Sequence, residues 1–90
     1  MKRNHQAAIV LGNLIRETRM GLRLSQEELA FRSNLDRAFL SRVEHGLRSP
    51  SFDTLLLITS ALELTLTQLS QRFEQRMREH SEKNYPGQST

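Results

Sequence analysis

The stretch Leu24-Ser25-Gln26-Glu27-Glu28-Leu29-Ala30-Phe31-Arg32-Ser33-Asn34-Leu35-Asp36-Arg37-Ala38-Phe39-Leu40-Ser41-Arg42-Val43-Glu44-His45-Gly46 decides the fold. It contains one small design twice. In Leu24-Ser25 followed by Leu29, and again in Leu35-Asp36 followed by Leu40, a capping residue stands between two leucines. The cap's side-chain oxygen takes an orphan backbone N–H at a helix start, and the flanking leucines clasp over it as a hydrophobic staple. Glu28, three residues after Ser25, completes a reciprocal capping box. Helices are therefore predicted from Gln26 and from Arg37. The first ends near Ser33, which leaves only Asn34-Leu35-Asp36 between them. Asn tolerates the left-handed conformation that so tight a turn needs. Gly46 closes the second helix. Two short helices joined by three residues make a helix-turn-helix.

Working outward, the same design returns at Leu64-Thr65 followed by Leu69, with Gln68 as the box residue. A helix is predicted from Leu66, and its apolar stripe is Leu66, Leu69, Phe73 and Met77. Ser51 as cap, with Asp53 favouring the N-terminal dipole, predicts another helix over Phe52 to Leu62. That helix carries Leu55, Leu56, Leu57, Ile58 and Ala61, is apolar on nearly all sides, and is expected to lie buried at the centre. On the N-terminal side, Leu11, Leu14, Ile15, Thr18 and Leu22 recur at helical spacing, which predicts a helix from about Gln6 to Met20. Gly21 is the expected left-handed stop. The chain thus reads as all-α, five helices in one domain over residues 1–79. The polar run after Glu79, HSEKNYPGQST, reads as a mobile tail over 80–90.

Composition narrows the function. Ninety residues are too few for a large sandwich or an α/β barrel. The absence of Cys excludes disulfide and thiol chemistry and fits a reducing, cytoplasmic setting. No apolar run is long enough to span a bilayer, and the basic-then-apolar N-terminus lacks the features of a signal peptide. Residues 1–48 hold nine Lys/Arg against five Asp/Glu, whereas residues 49–90 hold four against five. Eleven of the 13 cations are Arg, whose planar fork suits phosphates and base edges, so an anionic partner is expected. No phosphate-cradling glycine loop, zinc-binding HExxH or nucleophile-elbow GxSxG is present. The three His are scattered, Ser41 has no base near it in the sequence pattern, and neither metal, cofactor nor catalysis is expected.

From Leu11 to Phe73 the chain resembles the lambda-repressor-like, or Cro/cI-type, helix-turn-helix family. The resemblance is carried by Leu24 to Ala30, Leu40-Ser41-Arg42-Val43-Glu44-His45-Gly46, Arg48-Ser49-Pro50-Ser51-Phe52-Asp53-Thr54-Leu55, and Ala61-Leu62-Glu63-Leu64-Thr65-Leu66. Ser33-Asn34-Leu35-Asp36-Arg37 is also similar to restriction–modification controller proteins, small dimeric regulators. Asn34 stands where the family usually has Gly, and His45 where it has Asn. The resemblance implies a sequence-specific transcriptional regulator that binds double-stranded DNA as a homodimer on an inverted repeat.

Spacing then divides the second helix of the motif. Leu40 and Val43 face the core, and Arg37, Ala38, Ser41 and Arg42 form the opposite stripe, the expected base-reading face. Arg37, at the first helical position, is the prime candidate for a bidentate contact to guanine. Gln26 and Arg48 are expected to hold backbone phosphates, with Arg23 and His45 as weaker candidates. Arg19 and Glu44 occupy positions that pair across helices in this family. Leu66, Leu69, Phe73 and Met77, with Leu57 nearby, are expected to join two copies. The alternatives are an antitoxin that binds a toxin protein, for which residues 80–90 should order on the partner, and a protein-interaction module without DNA contact, against which Arg37 and Arg42 argue.

Overall fold

The computed structural model describes residues 5–84, with side chains through His80. It contains α1 (His5–Gly21), α2 (Gln26–Ser33), α3 (Arg37–Glu44), α4 (Phe52–Ala61) and α5 (Leu66–Asn84), and no strand among the described residues. The helices α2 to α5 begin at the residues the caps predict. Ser25 Oγ accepts the Glu28 N–H at 3.0 Å while Glu28 Oε1 accepts the Ser25 N–H at 2.8 Å. Thr65 and Gln68 repeat this exchange at 3.0 and 2.9 Å. Asp36 caps α3 through the Phe39 N–H at 3.2 Å, and Ser51 caps α4 through the Thr54 N–H at 3.1 Å.

The ends of α1 to α4 follow one rule, which the sequence shows at Asn34 and Gly46 and conceals at Arg23 and Glu63. Arg23, Asn34, Gly46 and Glu63 all have left-handed φ, at 60°, 57°, 75° and 59°. Behind each, two N–H groups turn back in the Schellman pattern. Leu35 N donates to Ala30 O and Asn34 N to Phe31 O; Leu64 N donates to Thr59 O and Glu63 N to Ser60 O. A leucine follows every left-handed residue: Leu24, Leu35, Leu47 and Leu64. In three of the four turns that leucine then precedes the next N-cap. The whole connection is therefore a left-handed residue, a leucine and a cap. Gly21 is not the stop expected of it; it lies inside α1, and Arg23 makes the left-handed turn. Leu24 must reach the core one residue before the Ser25 cap, and this fixes the turn at Arg23 whatever its side chain. Leu22, expected to close the α1 stripe, lies past the helix and is exposed.

The core has two adjoining parts. Ile15, Leu29, Ala30, Leu40, Val43, Ile58 and Leu62 form one, drawn from α1 to α4 and the turn after α4. Val10, Leu14 and Leu69 form the other, where α5 covers α1. Leu11 and Leu64 pack against both. At Gly12 α1 meets the end of α3 so closely that a Cβ would collide with the Val43 carbonyl oxygen and lie 2.7 Å from that of Glu44.

Two further expectations fail. Helix α4 is not central: it buries Ile58 and Thr59, half-buries Leu55 and Ala61, and leaves Phe52, Leu56 and Leu57 61, 39 and 48 % exposed. It packs chiefly on α2 and α5, Ile58 reaches the shared core beside Ile15 and Leu40, and the side carrying Phe52, Leu56 and Leu57 is open. Helix α5 passes the expected boundary at Glu79 and runs to Asn84, so residues 80–84 are helical. The rest of the stretch read as a tail, 85–90, lies outside the described residues.

Candidate nucleic-acid interface

Helix α3 is two turns long and has two unlike sides. Leu40 and Val43 are buried, whereas Arg37, Ala38 and Arg42 are exposed and Ser41 is half-buried. The four side chains expected to read bases thus share the side of α3 turned away from the core. Phe39, at the margin of the two sides, packs on the core edge and carries a second contact. The Arg48 guanidinium carbon lies 5.4 Å from the centre of its ring, within cation–π range. Arg48 is therefore drawn onto α3 from the loop before α4. His45 caps α3: its backbone N–H and its ring Nδ1 both meet the Ser41 carbonyl oxygen, at 3.0 and 2.8 Å. A carbonyl only accepts, so this geometry requires the hydrogen on Nδ1 and leaves Nε2 facing outward.

Behind the exposed side runs a buried polar network. Glu44 is the last residue of α3, and its side chain is 1 % exposed. Arg19, from α1, clasps it with two bonds, Nε to Oε2 at 2.7 Å and Nη2 to Oε1 at 3.0 Å. Arg19 Nη1 also donates to the Leu24 carbonyl at 2.9 Å, which ties the α1–α2 turn to the pair. The fork–fork geometry gives a buried carboxylate both charge and directional bonds, the combination needed to offset its lost hydration.

Gln26 joins this network. Its Nε2 donates to Glu44 Oε1 at 3.1 Å, and its Oε1 lies 3.5 Å from Arg37 Nε. The residue expected to hold a phosphate thus already has one end on the buried pair and the other at the first residue of α3. Sequence spacing does not reveal this, because 18 residues separate Gln26 from Glu44. Arg23, with His45 one of the two weaker phosphate candidates, is exposed and spends its backbone on the left-handed turn.

Two carboxylates have clear electrostatic settings. The Ser25 backbone N–H, together with the Ser25 hydroxyl, holds the Glu28 carboxyl below the ordinary glutamate range. Arg76 of α5 does the same to Glu17 of α1, through Nη2 to Oε1 at 2.6 Å, and this pair is exposed. Among the described residues no group of three or more His, Asp or Glu is arranged as a metal site. No single helix there is long and apolar enough to cross a membrane.

The stripe expected to join two copies faces mostly inward. Leu69 is 3 % exposed and sits in the α1–α5 core, with Phe73 and Met77 packed against it. Leu66 and Phe73 reach the rim of a cleft of about 140 Å³ that Leu11, Leu55 and Leu69 also line.

A helix-turn-helix family model matches residues 15–69, more than half of the chain. The chain belongs to that family. It is 43 % identical over 54 residues to an uncharacterised helix-turn-helix-type transcriptional regulator of Mycobacterium tuberculosis, covering 60 % of this chain and 39 % of that one. The chain thus spans well under two thirds of that relative. Among solved structures it is similar to the restriction–modification controller protein C.AhdI from Aeromonas hydrophila, with 39 % identity and a TM-score of 0.67, over 69 % of this chain and 94 % of that one. A mutant of a second controller, C.Esp1396I, superposes with a TM-score of 0.79 at 28 % identity, over 89 % and 99 % of the two chains. That controller has also been solved as a tetramer in complex with its natural 35 base-pair operator.

Proposed function

We propose that the chain is a sequence-specific, DNA-binding transcriptional regulator of the restriction–modification controller type, reading an inverted repeat as a homodimer. The observation that carries this is the division of α3. One side is sealed into the core by Leu40, Val43 and the Arg19–Glu44 pair, and the other offers Arg37, Ala38, Ser41 and Arg42. A two-turn helix with that outward set fits the major groove: Arg37 takes guanine O6 and N7, and Ala38 lies close enough to meet a thymine methyl. Gln26, the α2 N-terminus, Arg48 and His45 hold the flanking phosphates, with Arg23 behind them. The operator-bound tetramer of the similar controller supports the reading of DNA as the partner and self-association as the mode.

The second copy docks on α4. Phe52 and Leu56 stand one helical turn apart beside Leu57, and the three leave an apolar surface that a small monomer rarely presents to water. Leu66 and Phe73, with Leu55 of α4, line a second apolar surface at the cleft. No observation favours the toxin-binding alternative.

Selection of bound DNA from a random pool at two salt concentrations tests the reading. An enriched inverted repeat is the expected result, with one base per half-site lost in Arg37→Ala. Binding that falls with salt and enriches no sequence would reduce the basic side to a general phosphate surface.

A further inference from the structure

We propose that His45 holds a backbone phosphate only as the imidazolium, so that the protein takes up a proton as it closes on DNA and binds more tightly as pH falls. The inference rests on the reading of the outward side of α3 as the DNA face.

One ring nitrogen is already committed. His45 is the C-cap of α3, and its Nδ1 lies 2.8 Å from the Ser41 carbonyl oxygen. A carbonyl has no hydrogen to give, so Nδ1 carries the hydrogen of the neutral ring and Nε2 is left as a lone pair. His45 is exposed and lies three residues past Arg42 and four past Ser41, so it continues the outward stripe at the end of α3. A phosphate oxygen also only accepts, and a lone pair facing it repels. One proton from solvent on Nε2 turns that repulsion into a charged hydrogen bond and keeps the Nδ1–Ser41 bond. Moving the hydrogen from Nδ1 to Nε2 instead would set a lone pair against the Ser41 carbonyl and break the cap.

The surroundings leave the counter-charge to come from outside. On α3, Arg42 is a cation and Glu44 is turned inward onto Arg19 of α1. Arg48, in the following loop, lies over Phe39. Helix α1 meets the end of α3 at Gly12 and Gly46 at Ile9, and one turn either side of these contacts it carries His5 and Arg16. Beyond Ile9, Arg76, Glu79 and His80 of α5 line a cleft on α1. Among the described residues no carboxylate forms an ion pair with the His45 ring. The anion that an imidazolium needs here is the DNA phosphate.

Affinity for the selected operator, compared at about pH 8 and about pH 6 in the same salt, tests this. Wild type is expected to gain at least about fivefold more over that interval than His45→Asn, whose amide donates at every pH, or His45→Arg, which stays charged. His5 and His80 are common to all three proteins and cancel in the comparison. Thermal melts at both pH values confirm folding. Calorimetry in two buffers of different ionisation enthalpy is expected to show net proton uptake on binding by wild type, reduced in both variants. The wild-type value needs no variant, so the inference stays testable if both variants melt early. Equal pH dependence in wild type and His45→Asn, uptake unchanged by the substitutions, or no uptake by wild type would each overturn it. The contact is to phosphate, so the same comparison holds on an unselected duplex if no inverted repeat is enriched. Failure of sequence reading and failure of proton uptake are thereby separate results, and a chain that binds no duplex at either pH overturns both.

Discussion

The Glu44 carboxylate has given up its water and holds Arg19 and Gln26 in exchange. A buried ion pair is weak evidence of net stability, but removing one member leaves the other uncompensated, at a cost of about 3–5 kcal/mol. Arg19→Ala is therefore expected to lower the melting temperature by more than about 10 °C, with any loss of DNA affinity following from unfolding. Circular dichroism melts check this, and an unchanged melting temperature would remove the pair from the stabilising network. The pair itself was legible in the sequence only through family resemblance, since 25 residues separate its members. The Gln26 link was not legible at all. It depends on Glu44 turning inward and on the α2 and α3 starts meeting the same carboxylate, which no periodicity encodes. The outward set of α3 was legible, because Leu40 and Val43 leave one possible side for Arg37, Ala38, Ser41 and Arg42.

At the level of elements, the capped helix starts were readable to the residue, whereas of the stops Asn34 and Gly46 were readable and Arg23 and Glu63 were not, for a chemical reason. An N-cap needs an oxygen on its own side chain, so Ser25, Asp36, Ser51 and Thr65 announce themselves. A Schellman stop needs only a left-handed backbone, and at Arg23, Asn34 and Glu63 a following leucine that reaches the core enforces it, whereas Leu47 after Gly46 stays exposed. Burying such a leucine gains about 1.5–3 kcal/mol, more than the roughly 1–2 kcal/mol that a left-handed non-glycine residue costs. Arg23 and Glu63 bear that cost without the relief that Gly46 has. Glu63→Gly is expected to stabilise by about 0.5–1 kcal/mol net of glycine's greater chain entropy, a rise of a few degrees in melting temperature. A fall instead would mean the Glu63 side chain contributes something its exposed position does not reveal. The capping box at the α2 start adds a pH dependence. The folded state lowers the Glu28 pKa, so its stabilisation is present above the ordinary carboxylate range and is lost as pH falls through the folded value. Glu17, lowered by Arg76, acts in the same sense, with more screening by salt because the pair is exposed. Glu28→Gln keeps an acceptor for the Ser25 N–H but cannot titrate. Its stability is expected to fall less steeply than wild type below about pH 4.3 in urea titrations across pH. Parallel slopes would show that the box carboxylate is not a source of acid sensitivity.

Across the whole molecule, the apolar count of a helix does not say where the helix sits. Helix α4 has more large apolar side chains than the five-helix fold can cover, since the core needs only Ile58 fully and Leu55 and Ala61 in part. The expectation of a central α4 set aside only Leu57 for a second copy and gave its other leucines a home within one chain. The stripe assigned to a second copy, around Leu69 and Phe73, instead closes α5 onto α1, and the surplus lies on α4. Moving the proposed interface from the α5 stripe to Phe52, Leu56 and Leu57 makes the two surfaces separable by mutation. Leu57→Asp adds a charge where the side chain is already half in water, so the monomer should keep most of its thermal stability. In sedimentation runs over a dilution series it is expected to remain a monomer where wild type dimerises. Loss of one half-site should follow, with affinity for a single half-site kept and the gain from the inverted repeat gone. Leu69→Asp is the contrasting variant: it places a charge in the α1–α5 core and should unfold the chain rather than dissociate it. A Leu57→Asp protein that still dimerises at the wild-type concentration would return the interface to the rim formed by Leu66 and Phe73.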